Sequence, residues 1–184
     1  MIYGWQPISL NILQQYATAH LAEWMAQVQK LKHTLEKVGL PIDVHVLNEC
    51  LTPLPQPESE ILSQTEGWVR EVYLKTPNAP LVYARTAMPV QTFEQFKKDW
   101  ETLGNKGIGD TLLYHQAHVK RSPFEFGLVR KQNQLYQDAT KNTPHRPFCL
   151  WGRRSLFYWD GYPLLITELF LPDFIRATDQ CLVS

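Results

Sequence analysis

An Asp-Gly pair between two long apolar runs constrains this chain most. In Trp151–Pro172, WGRRSLFYWDGYPLLITELFLP, Asp160-Gly161 follows Leu156, Phe157, Tyr158 and Trp159 and precedes an almost wholly apolar run from Tyr162 to Leu171. Asp-Gly suits the two positive-φ positions of a type I′ turn, so the stretch predicts a β-hairpin. Side chains alternate faces along a strand, so Leu164, Ile166, Glu168 and Phe170 share one face. A carboxylate on an apolar face is costly unless it is paired or hydrogen-bonded. The rest of the chain must supply the partner of Glu168.

Ahead of the hairpin, residues 9–38 carry Leu10, Leu13, Ala17, Leu21, Trp24, Val28, Leu31, Leu35 and Val38 at three- and four-residue steps. That stripe predicts one long helix or two consecutive ones, opened by Ser9 and stopped by Gly39. Ile42, Val44 and Val46 alternate with polar residues as a strand. LTPLPQPESE then reads as a proline-rich surface loop. Trp68–Leu74 and Leu81–Met88 are two further strands, antiparallel across the Thr76–Pro80 turn. Thr92-Phe93-Glu94-Gln95 has the capping-box pattern of a helix start, with Phe93, Phe96 and Trp100 on its buried face. The glycine loop GNKGIG follows. Phe124, Phe126 and Leu128 mark another strand, Lys131–Pro147 a polar loop, and Asp173–Ala177 a helical turn after Pro172. Helices first, then mostly antiparallel strands, predict one α+β domain over residues 1–184, a single antiparallel sheet with helices on one face.

Lysine plus arginine and aspartate plus glutamate each total 18, so the formal net charge is zero. That argues against a nucleic-acid or anionic-membrane surface. Cys50, Cys149 and Cys181 are odd in number and lack a CxxC spacing, which points to reduced thiols in a cytoplasm. No signal peptide or membrane span is expected.

Arg70 shares the parity of Trp68 and Val72, so it is not simply solvated. It either pairs with a buried carboxylate such as Glu168 or holds a ligand carboxylate in its planar fork. Arg85 in the neighbouring strand is a second cation or a solvated strand charge. Of Arg153-Arg154, at most one points into a given pocket; a salt-bridged strand edge is the alternative. GNKGIG lacks nucleotide-fingerprint spacing and offers mobility or exposed N–H groups, or is an ordinary loop. His115-x-x-His118 has no further ligand at metal spacing, so no metal site is expected. The residues alone describe a mostly apolar pocket with a buried carboxylate and one or two arginines, suited to an organic anion.

WVREVYL, YARTAMP, GNKGIGDTLL and WGRRSLFYWDGYPLLITELFLP, in that order, resemble the chorismate pyruvate-lyase family over roughly Leu21 to Pro172. The resemblance implies a six-stranded antiparallel sheet, with ligand enclosed beneath helical flaps. It implies a cofactor-independent, cytoplasmic, monomeric enzyme that converts chorismate to 4-hydroxybenzoate and pyruvate for ubiquinone synthesis. The family's ligand-binding arginine falls on Arg70, its carboxylate on Glu168 and its flap residue on Ile108. A fourth position falls on Leu31, where Gln29-Lys30 stands in place of the family's serine cap. Arg85 would then meet the substrate's second carboxylate. The same fold class also serves as the effector-sensing half of bacterial transcription regulators, whose DNA-binding region precedes it. Few residues stand ahead of the sheet here, so the enzyme is the expected reading.

Overall fold

The computed structural model describes residues 4–27, 30–113 and 118–182. The N-terminal stripe is three short helices, α1 (Leu10–Leu13), α2 (Ala19–Ala26) and α3 (Leu31–Lys37), not one or two long ones. Thr18 breaks the run. Its backbone is extended and its hydroxyl accepts from Leu21 N, opening α2. Lys30, also non-helical, opens α3. The stripe still marks burial: Leu13, Trp24, Leu31 and Leu35 are core, although Leu10 is exposed. Gly39, at φ 88°, ends α3, and the N–H groups of Gly39 and Leu40 bond to the Glu36 and Leu35 carbonyls in a Schellman motif.

The next elements are β1 (Asp43–Pro53), α4 (Gln56–Leu62), β2 (Glu66–Lys75), β3 (Pro80–Pro89), α5 (Val90–Gln95), α6 (Lys97–Glu101) and a π-helical turn, Gly109–Leu113. They are followed by β4 (Val119–Arg121), β5 (Glu125–Arg130), α7 (Gln134–Thr140), β6 (Cys149–Trp159), β7 (Tyr162–Phe170) and α8 (Asp173–Leu182). Two expected loops contain helices. In LTPLPQPESE, proline occupies the first turn of α4, where no N–H is needed. In Lys131–Pro147, the Asn133 side chain caps α7 by accepting from Leu135 N. Thr92 caps nothing: α5 starts before it, and its buried hydroxyl donates to the Pro163 carbonyl.

The α+β class with one antiparallel sheet holds, with seven strands in place of six and with helices on both faces rather than one, because both faces carry apolar side chains that need cover. Their order is β1-β2-β3-β7-β6-β4, and β5 also pairs with β6. The hairpin closes as expected, with Asp160 at φ 48° and Gly161 at φ 87°, and Trp159 opposite Tyr162. On one face, α1, α2, α3 and α8 build a core with Val44, Val72, Leu74 and Phe170. On the same face α5, α6 and the π-helical turn build a second with Met88, Phe157, Trp159 and Leu164. The other face carries α4, through Leu62, and α7, through Tyr136 and Ala139. The two cores of the first face leave a gap over the middle of the sheet.

Candidate active site

The gap is a pocket, and strand register decides what faces it. Arg70 stands opposite Thr86, Thr86 opposite Ile166, and Ile166 opposite Ser155, a row across β2, β3, β7 and β6. The next row is Val72, Ala84, Glu168 and Arg153. All eight side chains line the pocket. Leu31, from the start of α3, and Ile108, from the glycine loop, line it from above. Of the expected site residues, Leu31, Arg70, Ile108 and Glu168 are therefore together.

Arg85 is not with them. It stands one residue off the Arg70–Thr86 register, so its side chain leaves by the opposite face. There it makes a bidentate pair with Glu58, Nε–Oε1 2.7 Å and Nη2–Oε2 3.0 Å, and reaches Glu71 at 2.8 Å. Burial alone would lower the Arg85 pKa. The Glu58 hydrogen bonds and charge, then Tyr83 and Glu71, outweigh it and hold the pKa above its usual value. Tyr83 donates to Glu71, and burial followed by the Glu71 charge pushes its hydroxyl well up. This cluster is a structural network under α4 and cannot serve a ligand of the first face.

The partner of Glu168 is Arg153, directly opposite it on β6. Arg153 Nε donates to Glu168 Oε2 at 2.5 Å, and its Nη1 donates to the carbonyls of Met25 at 3.0 Å and Gln27 at 2.7 Å. It also lies over the Phe124 ring, 4.4 Å from the centroid. Arg154, at the other parity, pairs with Glu125 on the far face. Arg70 does not pair with Glu168. Its Nη1 donates to Glu49, and its Nη2 to the carbonyls of Gly104 at 2.7 Å and Lys106 at 3.2 Å. Arg70 thus ties the sheet to the GNKGIG loop. Glu49 reaches it because an irregularity between Val46 and Asn48 shifts the parity of β1.

Lys30, Lys32 and Lys106 add positive charge to the lining, and Val44, Val72, Leu74, Phe157 and Ile166 supply apolar wall. His115 lies outside the described residues, so the expected histidine pair is not placed. Among the described residues no three histidine, cysteine, aspartate or glutamate side chains converge as metal ligands, and no helix is long and apolar enough to cross a membrane.

The site is thus a small pocket over one face of an antiparallel sheet, with arginines and a carboxylate set in apolar walls. The model of the chorismate lyase family matches residues 5–179, so the chain belongs to that family. A "probable chorismate pyruvate-lyase" of Nitrosomonas eutropha is 29% identical over 172 residues, 92% of this chain and 93% of the relative. One of Pseudomonas putida is 33% identical over 162 residues, 86% and 83% of the two chains. Among solved structures, a PhnF C-terminal domain has a TM-score of 0.56 at 14% identity, covering 73% of this chain and 86% of that one. The effector domain of PhnF from Mycobacterium smegmatis has a TM-score of 0.51 at 11% identity, covering 91% and 93%. At these identities the likeness is one of fold.

Proposed function

We propose that the chain is a chorismate pyruvate-lyase, eliminating pyruvate from chorismate to leave 4-hydroxybenzoate, for ubiquinone synthesis in the cytoplasm. One observation carries the reading: Arg70 and Glu168 line the same pocket without pairing. By strand spacing their backbones stand about 12 Å apart, two strands and one row removed. That spacing leaves room for a six-membered ring with its carboxylate at Arg70 and its hydroxyl at Glu168.

The reaction is redox-neutral. The C3–O bond breaks, its electron pair leaves with the enolpyruvyl oxygen, a ring proton departs, and the ring becomes aromatic. The departing enolpyruvate takes up a proton at its methylene carbon to become pyruvate. The protein's share is positioning and electrostatics. Arg70 clamps the ring carboxylate. Glu168, oriented by Arg153, accepts from the ring hydroxyl. Leu31 and Ile108 close the pocket above the ring and offer backbone N–H groups to the anion. Lys30 and Lys106, on the same rim, meet the second carboxylate in the place expected of Arg85.

The test is incubation of purified protein with chorismate, following both products. Equal amounts of 4-hydroxybenzoate and pyruvate are expected. Arg70→Ala should abolish turnover and Glu168→Ala should cut it severely, with both variants folded. Tight 4-hydroxybenzoate binding with no turnover of chorismate would favour a non-catalytic binding module, as in the effector domains that share the fold.

A further inference from the structure

Ser155 closes WGRRS, in the middle of β6. The residue is 2% exposed and lines the pocket, yet its Oγ has no hydrogen-bond partner among the described residues. A buried hydroxyl without a partner is unfavourable. In a pocket wall, the missing partner is a group on the ligand. We propose that Ser155 is a substrate-contacting residue whose hydroxyl donates a hydrogen bond to the ether oxygen of the leaving enolpyruvyl arm. The assignment rests on the lyase reading above.

Its position on the sheet selects that oxygen. Arg70 and Ser155 occupy the two ends of one cross-strand row, and Glu168 lies in the next row, diagonal to Ser155 across the β6–β7 pair. A ring whose axis runs from Arg70 to Glu168 therefore has Ser155 beside its far end, off the axis. Diagonal neighbours of this kind stand about 7–8 Å apart, within reach of groups on adjacent ring atoms. The ring atom next to the one carrying the hydroxyl is C3, which carries the ether oxygen. As the C3–O bond breaks, negative charge grows on that oxygen, and a fixed donor stabilises it. Ser155 keeps its proton throughout; the departing enolpyruvate takes its own at carbon.

The experiment compares wild type, Ser155→Ala and Ser155→Cys for chorismate kinetics, 4-hydroxybenzoate affinity and thermal midpoint. Ser155→Ala removes an unmet polar group, so its Tm should equal or exceed that of wild type. Its kcat/KM should fall about 10- to 100-fold, the loss of one hydrogen bond to a charged group, while the Kd for 4-hydroxybenzoate, which lacks the arm, changes less than about twofold. Ser155→Cys, a weak donor of similar shape, should fall with it and guards against a collapsed pocket in the alanine variant. Unchanged kcat/KM in Ser155→Ala overturns the assignment. So does a rise in Kd for 4-hydroxybenzoate matching the loss of turnover, which would place the contact on the shared ring. An active wild type with unchanged kcat/KM in Ser155→Ala overturns this assignment alone. A wild type that turns over no chorismate overturns the lyase reading and this assignment together.

Discussion

Glu168 does two things at once. Its carboxylate accepts from Arg153 Nε and also lines the pocket. Arg153 in turn uses Nη1 to satisfy carbonyls at the C-terminal end of α2, where a cation is favoured. One buried guanidinium therefore joins the sheet, the first helical layer and the site carboxylate. Removing it strands the Glu168 carboxylate and the carbonyls of Met25 and Gln27. Arg153→Ala is expected to lower stability by about 3–5 kcal/mol, the usual cost of breaking a buried pair from one side. Urea unfolding measures this. Arg153→Lys should recover little, because an ammonium cannot present the forked donors that meet three acceptors at fixed angles. Glu168→Gln keeps an oxygen for Arg153 Nε and should stay folded while losing most turnover. A wild-type midpoint for Arg153→Ala would mean that the pair contributes nothing to the fold.

At the level of elements, the β6–β7 hairpin shows what close packing demands of a single position. Gly152 lies behind Arg153, facing the opposite side of the sheet. A Cβ there would stand 2.5 Å from Leu169 Cδ2, 2.9 Å from Trp5 Cη2 and 3.0 Å from the Glu168 carbonyl. Gly152→Ala should therefore cost about 1–3 kcal/mol in overpacking and, by pushing on the Glu168 backbone, reduce turnover as well. Adding Trp5→Ala should relieve part of the first effect, which a double-mutant cycle would read as coupling. The hairpin itself was legible in the sequence, since alternation and Asp160-Gly161 are local signals. So was the shared parity that puts Arg70 and Glu168 toward one layer. Register was not legible. The Arg70–Thr86 pairing, which sends Arg85 away from the pocket, depends on an irregularity between Leu74 and Lys75 beside the turn. The shift in β1 that delivers Glu49 to Arg70 is likewise invisible in a run of alternating residues. Arg153 as the partner of Glu168 needed both the register and the knowledge that α2 ends above it.

The molecule as a whole is a sheet with unlike faces, and this shapes its response to pH. The first face holds the pocket and the arginine-tethered loop. The second is locked by buried tyrosines: Tyr83 donates to Glu71, and Tyr73 donates to the Ala139 carbonyl of α7 at 2.9 Å. Burial raises the pKa of Tyr73, Tyr83 and Tyr136 alike, and the Glu71 charge adds to the rise at Tyr83. In the unfolded chain these phenols ionise near their ordinary value of about 10. Above that pH the unfolded state holds fewer protons than the folded one, so stability falls as pH rises. The stabilisation is fully present below about pH 10 and is lost progressively above it. Urea midpoints should thus be level from neutral pH to about 9.5 and drop between about 10 and 11.5. Tyr83→Phe should be less stable than wild type at pH 8 by about 1 kcal/mol, one hydrogen bond's worth, yet lose stability less steeply above pH 10. The two curves should converge as pH rises. Parallel curves would show that the drop comes from elsewhere and that Tyr83 is not what keeps the second face closed.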